Sequence, residues 1–284
     1  MEKFYEFAGV QIAVSAPEEM MYTQDRTLEP FRVKTVTDPY RFTFEILDAL
    51  APPTTEPVAI MDSFVVYCEK DACVRYVGTV EGKWETAYLR TAQRGKTCHV
   101  QLKRGVYGST MSAKTVLNAI SAEHLMAQNG GFVFHSSYIE VKGKAILFTA
   151  PSGTGKSTQA ELWHTLRNAR VINGDRSAVC IQNGQAVAAG IPFAGSSRIC
   201  RNVTLPLTAI VYLSQAPQTT IRQLRGAEAF RRVWEGVSVN TWDKEDVSGV
   251  MDAVQQTVMS VPVYYLSCTP DETAVTALER VLEQ

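Results

Sequence analysis

Apolar residues in the first hundred positions fall into short runs rather than long stripes. Val58-Ala59-Ile60, Phe64-Val65-Val66-Tyr67, Val74-Arg75-Tyr76-Val77 and Thr86-Ala87-Tyr88-Leu89 are rich in β-branched and aromatic side chains. Pro52-Pro53, Asp71 and Glu81-Gly82 punctuate them, so this part reads as a set of short strands. The apolar spacing of Phe42 to Leu50 predicts a short helix. The pattern changes near Gly108-Ser109-Thr110, which divides the chain into a β-rich module over 1–111 and a second domain over 112–284.

The second part alternates strand and helix patterns. Val116, Leu117, Ile120 and Leu125 share one helical face, and Asn129-Gly130-Gly131 supplies a stop. Strands follow at Phe132-Val133-Phe134-His135, Tyr138-Ile139-Glu140-Val141 and Ala145-Ile146-Leu147-Phe148. Further on, Val171-Ile172, Ala209-Ile210-Val211-Tyr212-Leu213 and Val263-Tyr264-Tyr265-Leu266 read as strands, with helices near 227–235 and 244–259. Thr269-Pro270-Asp271-Glu272 reads as a capping box with proline in the first turn of a last helix, packed on the sheet.

Two turns carry topology. Lys142-Gly143 joins two strands in about two residues, and a parallel crossover needs a dozen or more, so these strands are antiparallel. Asn183-Gly184 between Ala178–Ile181 and Gln185–Ala188 is a strong hairpin signal. The expected fold is therefore α/β with a mixed sheet rather than a parallel one.

Composition narrows the class. Lys plus Arg total 28 and Asp plus Glu 29 in 284 residues. Near-zero net charge without a dense basic run excludes nucleic acid as the main partner. No apolar stretch approaches the ~20 residues of a membrane span, so no membrane partner is expected. Met1 to Glu6 lacks the basic and apolar regions of a signal peptide. The six cysteines are scattered without a Cys-x-x-Cys pair, which fits reduced thiols in a cytoplasmic protein better than structural zinc.

The candidate chemistry centres on Ala150-Pro151-Ser152-Gly153-Thr154-Gly155-Lys156-Ser157. It follows a strand pattern and precedes Thr158-Gln159-Ala160-Glu161-Leu162-Trp163, a run of good helix formers. That order fits a phosphate-binding P-loop, whose backbone N–H groups converge on phosphate oxygens. Ser152, Gly153, Thr154, Gly155, Lys156, Ser157 and Thr158 would bind a nucleotide. Lys156 would reach the β/γ-phosphates and the Ser157 hydroxyl would ligate Mg²⁺, while the positive end of the helix favours the same anion.

Taken together, the hairpin-fed loop, His135 upstream and Asn173-Gly174-Asp175-Arg176 downstream resemble the C-terminal catalytic domain of HPr kinase/phosphorylase, which has the phosphoenolpyruvate carboxykinase fold. The resemblance covers roughly residues 113–284. Lys156-Ser157-Thr158-Gln159-Ala160-Glu161-Leu162-Trp163 is most similar to the HPr-kinase-related proteins of peptide-modification gene clusters. It implies ATP- and Mg²⁺-dependent phosphorylation of a hydroxyl, often serine, on a protein, peptide or small molecule. The family carries two adjacent aspartates after the phosphate loop; here Gly174 and Asp175 stand in their places. The resemblance makes Asp175 a base or a metal ligand beside Ser157, and His135 a substrate- or phosphate-proximal donor. Residues 1–110 resemble nothing specific and are assigned to acceptor selection.

Other residues have competing readings. Asp175 also suits an Asx turn. Arg198 and Arg201, in Gly195-Ser196-Ser197-Arg198-Ile199-Cys200-Arg201, could close on a γ-phosphate or simply face solvent. Arg176 fits an ion pair with Asp175 as well as a ligand contact. Glu161 lies at helical spacing from Ser157, and the tryptophans read as core. The sequence thus predicts an ATP-dependent kinase using Lys156, Asp175, His135 and Arg198. Its alternatives are a kinase of an amino acid or sugar, and a nucleotide-binding sensor with little catalysis.

Overall fold

The computed structural model describes residues 2–18, 21–22, 27–105, 110–111 and 113–283; Gly108 and Ser109 lie outside them. The chain forms two units, Met1–Ser121 and Ala122–Gln284. Among the described residues no helix is long and apolar enough to cross a membrane.

In the first unit the strands are β1 (Glu2–Phe7), β2 (Val10–Ser15), β3 (Met21–Tyr22), β4 (Arg32–Val33), β5 (Tyr40–Leu47) and β6 (Pro57–Ile60). They continue as β7 (Phe64–Glu69), β8 (Ala72–Val77), β9 (Leu89–Arg94), β10 (Thr97–Lys103) and β11 (Thr110–Met111), followed by helix α1 (Ala113–Ala119). Nine of them make one sheet in the order β4-β1-β2-β5-β10-β9-β8-β7-β6. It is mixed: β5 runs parallel to both β2 and β10, and the other pairs are antiparallel.

Two expectations are corrected here. Phe42–Leu50 is not a helix, because Tyr40, Phe42 and Phe44 are buried while Arg41, Thr43 and Glu45 face solvent. That period of two belongs to a strand with one wet face. The run at Thr86 starts as a 3₁₀ turn, Trp84–Thr86, and pairing begins only at Leu89.

In the second unit α2 (Ala122–Gln128) precedes β12 (Gly131–Val141), β13 (Lys144–Thr149), α3 (Lys156–Arg167) and β14 (Arg170–Asn173). Then come β15 (Arg176–Gln182), β16 (Gln185–Gly190), β17 (Thr204–Gln215), β18 (Thr220–Leu224) and α4 (Gly226–Trp234). The chain ends with β19 (Val237–Ser238), α5 (Lys244–Ser260), β20 (Val263–Cys268) and α6 (Glu272–Leu282). The main sheet runs β13-β12-β15-β16-β17-β20-β18, and β13 also pairs with β17. β12–β13 and β15–β16 are antiparallel while β13–β17 and β17–β20 are parallel, so the sheet is mixed, as the two short turns require.

Helices cover both faces. Ala145, Leu147 and Ile210 pack with α4 and α5 residues Val233, Val250 and Val254. The alternating Ile146, Phe148 and Val211 pack with Trp163 of α3 and Val275 and Leu278 of α6. Burial on both sides explains the unbroken apolar runs of β13 and β17.

Three further boundaries differ from expectation. The helix through Val116–Leu125 is two helices, α1 and α2, separated at Ile120-Ser121. Phe132–His135 and Tyr138–Val141 form the single strand β12, because Ser136 and Ser137 turn inward and bond to Ser177 Oγ (2.6 Å) and Gly174 O (3.2 Å). The last helix is capped by Asp271, whose side chain accepts from the Thr273 N–H at 2.9 Å. Thr269-Pro270 lies ahead of that cap. A two-residue offset favours Asp271 because its carboxylate also meets the positive end of the helix.

Candidate functional site

The loop between β13 and α3 is shaped by its two glycines, with φ of +78° at Gly153 and +119° at Gly155. L-residues with a Cβ rarely adopt these angles. Gly155 is the N-cap of α3 and no side chain caps this helix, so N–H groups of its first turn remain free for a ligand. Lys156 is buried, and its Nζ donates to the Ala150 and Pro151 carbonyls at 3.0 and 3.4 Å. Burial pushes the Lys156 pKa down, and Asp175 acts in the opposite sense. Ser152, Gly153, Ser157 and Thr158 are exposed around the loop, and Thr154 and Gly155 half-buried.

Asp175 sits in the turn between β14 and β15. Asn173, fully buried, builds that turn: its Oδ1 accepts from the N–H groups of Asp175 (3.1 Å) and Arg176 (3.2 Å), and its Nδ2 donates to Ile191 O (2.7 Å). The Asx turn is thus made by Asn173 and presents Asp175. The Asp175 carboxylate lies 3.5 Å from His135 Nε2 and 3.8 Å from Arg176 Nε. His135, then the charges of Arg176 and Lys156, hold the Asp175 pKa below its ordinary value against the effect of burial. Arg176 also reaches Glu123 at 3.5 Å.

The backbone around His135 is tied down as well. Its N–H donates to Gly236 O at 2.8 Å, its C=O accepts from Thr149 Oγ1 at 3.0 Å, and the next residue, Ser136, donates its N–H to Asp175 O at 3.0 Å. His135 and Asp175 therefore belong to one rigid corner, and Lys156 and Asp175 act on each other electrostatically.

The segment 195–201 packs over this corner. Gly195, at φ +55°, passes so close that a Cβ there would meet Asp175 Cβ at 2.5 Å. Gly174 N–H donates to Ile199 O at 3.3 Å, and Arg201 Nε donates to Val171 O at 3.1 Å. Arg201 is thereby a tether of the segment. Arg198 is exposed, in the left-handed region at φ +56°, and among the described residues no hydrogen bond or ion pair holds its guanidinium.

Two cavities border the loop. One of about 570 Å³ runs from Gly153–Gly155 past Thr158 and Gln159 to Cys268 and Pro270. The other, about 470 Å³, lies between Ser152–Thr154 and Tyr212, Arg232 and Tyr265. There the two tyrosine rings stack at 5.7 Å and the Arg232 guanidinium lies 4.7 Å from the Tyr212 ring centre.

Asn173, Gly195 and Gln159 were not singled out in the sequence. Asn173 was legible, since Asn-Gly-Asp after a strand is an Asx-turn signature; the other two are defined by long-range packing. Glu161 faces solvent on α3, and Trp163 is core. The hard oxygens of Ser157 and Asp175 are a donor set that suits Mg²⁺. A separate cluster, His124, Asp243 and Asp246, is an internal network: buried Asp246 accepts from His124 (2.9 Å), Gln128 (3.2 Å) and Asn240 (3.0 Å), and Asp243 caps α5.

Among solved structures, the Hpr(Ser) kinase/phosphatase from Coxiella burnetii aligns at 10% identity with a TM-score of 0.30, over 52% of this chain and 94% of that one. No curated protein matches the chain. A family model described as SynChlorMet cassette protein ScmC matches residues 98–283, the stretch that contains the glycine loop and the Asp175 corner, and the chain belongs to that family.

Proposed function

We propose that this protein is an ATP-dependent kinase that transfers the γ-phosphate to a hydroxyl, with serine of a peptide or protein as the acceptor class. One observation carries the reading: a buried lysine ends a glycine loop at an uncapped helix start and shares its electrostatics with a carboxylate that a buried Asx turn holds in place. The resemblance of these residues to the HPr kinase family supports it.

Loop N–H groups and Lys156 hold the phosphates, and with Asp175 as the base Ser157 would hold Mg²⁺ together with phosphate oxygens, a metal that screens phosphate charge when bound. Asp175, kept ionised by His135 and Arg176, orients the acceptor hydroxyl and takes its proton late. A weak base suffices because phosphoryl transfer passes through a loose transition state in which the nucleophile has lost little charge. Arg198, exposed and without a partner among the described residues, would neutralise the transferring group.

The test is incubation with Mg²⁺ and γ-labelled ATP against serine peptides, free serine, sugars and cell extract. Transfer by the wild type and its loss in Lys156→Ala and Asp175→Asn are expected. Equal transfer by Lys156→Ala overturns the assignment.

One observation favours a second reading, a nucleotide-binding protein without transfer: the place of a second carboxylate is filled by Ser197. ATP binding with no labelled product from any acceptor class would select it.

A further inference from the structure

Two cysteines of the first unit face each other across a hairpin. Strands β7 and β8 are joined by Lys70-Asp71 alone, with Lys70 at φ +55°. Their register sets Cys68 opposite Cys73, one pair outward from the closing residues Glu69 and Ala72. In a two-residue hairpin the closing residues exchange backbone hydrogen bonds, so the next pair does not. The Cys68 carbonyl agrees, since it is turned to the β6 side of β7 and accepts from Thr55 Oγ1 at 3.2 Å. Opposed residues of such a pair share one face of the sheet with Cα atoms about 4.5 Å apart, inside the ~4.4–6.8 Å that a disulfide spans. Both side chains are exposed, whereas the other four cysteines are buried. Burial pushes the Cys98 and Cys180 thiols up to about 12 and raises Cys268 as well, so these hold little of the reactive thiolate at neutral pH.

We infer that Cys68 and Cys73 are a redox modification site, which a low-molecular-weight disulfide converts reversibly into a cross-strand disulfide. The thiolate of one cysteine attacks a sulfur of the small disulfide, forming a mixed disulfide and releasing one small thiolate. The thiolate of the other cysteine then attacks the protein sulfur of that mixed disulfide; the Cys68–Cys73 bond forms and a second small thiolate leaves. Each leaving thiolate takes up one of the protons that the cysteines lose, so two protein thiols are oxidised and one small disulfide is reduced to two thiols. Strand pairing already holds the second sulfur beside the first, and the ring that closes contains only the hairpin turn. Exposed disulfides are the labile kind, so excess small thiol reverses both steps. The inference stands on the first unit alone and needs no nucleotide on the glycine loop.

The experiment equilibrates the full chain with glutathione buffers of rising glutathione disulfide content, quenches it in acid and alkylates it with N-ethylmaleimide in urea for mass spectrometry. Two of the six cysteines should become refractory together, with no glutathione retained, and excess dithiothreitol should restore them. Trypsin cuts after Lys70, between the two cysteines, so their peptides should travel as one linked mass until reduced. Cys68→Ser and Cys73→Ser lack the second thiolate and should each retain one glutathione on the cysteine that remains. Wild type that stays fully alkylated in the most oxidising buffer overturns the inference. So does glutathione retained at Cys68 or Cys73 without the linked peptides, or a bond from either cysteine to a different one. The peptide map of the wild type decides the matter even if a serine variant does not fold.

Discussion

Ser197 occupies the space that a side chain at position 174 would need. A Cβ built on Gly174 would lie 2.6 Å from Ser197 Cβ and closer still to Ser197 Oγ. That hydroxyl is engaged, donating to Ala194 O at 2.8 Å and accepting from the Ile199 N–H at 3.2 Å. The lone carboxylate is therefore built into the packing of the corner. Gly174→Asp should not restore a pair; it should destabilise the protein by about 1–3 kcal/mol through overpacking. Combining it with Ser197→Gly should recover part of that loss. Urea denaturation of the two single variants and the double variant reads the coupling directly, and an additive result would show that the two sites do not meet.

Asn173 is the second point where the corner can be tested. Its side chain makes three hydrogen bonds from a fully buried position. Asn173→Ala leaves a carbonyl and two N–H groups to find other partners, at about 1–3 kcal/mol for a buried group left unsatisfied. We expect a loss of about 2–4 kcal/mol by urea unfolding, together with lower transfer activity, because Asp175 loses the turn that presents it. Activity unchanged in the folded variant would mean that Asp175 needs no such support.

The strands and turns of the second unit were legible because their signals are local. Lys142-Gly143 and Asn183-Gly184 announce hairpins through backbone geometry that few residues adopt, and β13 and β17 through apolar runs buried on two faces. Phe42–Leu50 was misread because its apolar residues also fit a helical count; only the solvent exposure of Arg41, Thr43 and Glu45 separates the two periods. The glycine loop could be read in one stretch of sequence. The corner could not, since Gly195 over Asp175, Ser197 against Gly174 and Gln159 against Cys268 join residues whose pairing depends on the tertiary fold.

The charge state of Asp175 gives a pH prediction. Its folded pKa is depressed below the ordinary 3.8. Ionisation therefore adds stability that is present above the unfolded pKa and lost as pH falls through the folded one. Across neutral pH the carboxylate stays ionised, so a change in activity between about pH 5 and 8 must come from another group. His135→Phe removes the largest of the influences that depress it and should raise the Asp175 midpoint in a ¹³C NMR titration. A midpoint that does not move would assign the depression to Arg176 and Lys156 alone.

The His124–Asp246 network should behave as structure. Asp246 is fully buried and bonded by three side chains. Asp246→Ala strands those donors and should cost about 2–4 kcal/mol, the penalty of leaving buried hydrogen-bonding groups unsatisfied. In the fraction that remains folded, phosphate transfer per molecule should hold. Added zinc or magnesium should leave the wild-type melting temperature unchanged if the cluster is only a network. A saturable rise that disappears in Asp246→Ala would identify it as a metal site.

Arg198 allows function and folding to be separated, because its backbone conformation is one that arginine disfavours. Left-handed geometry costs an L-residue roughly 1–2 kcal/mol, and glycine avoids that cost while losing part of the gain to its freer unfolded chain. Arg198→Gly should therefore leave stability unchanged or raise it by up to about 1 kcal/mol. Turnover is a different matter: an arginine that neutralises a transferring phosphoryl group is worth roughly 10³-fold or more. A variant that unfolds at the same urea concentration, binds ATP as before and transfers phosphate about a thousandfold more slowly would place the guanidinium at the reacting group. Full turnover in Arg198→Gly would instead make residue 198 a turn position and leave charge neutralisation to Lys156 and the metal ion.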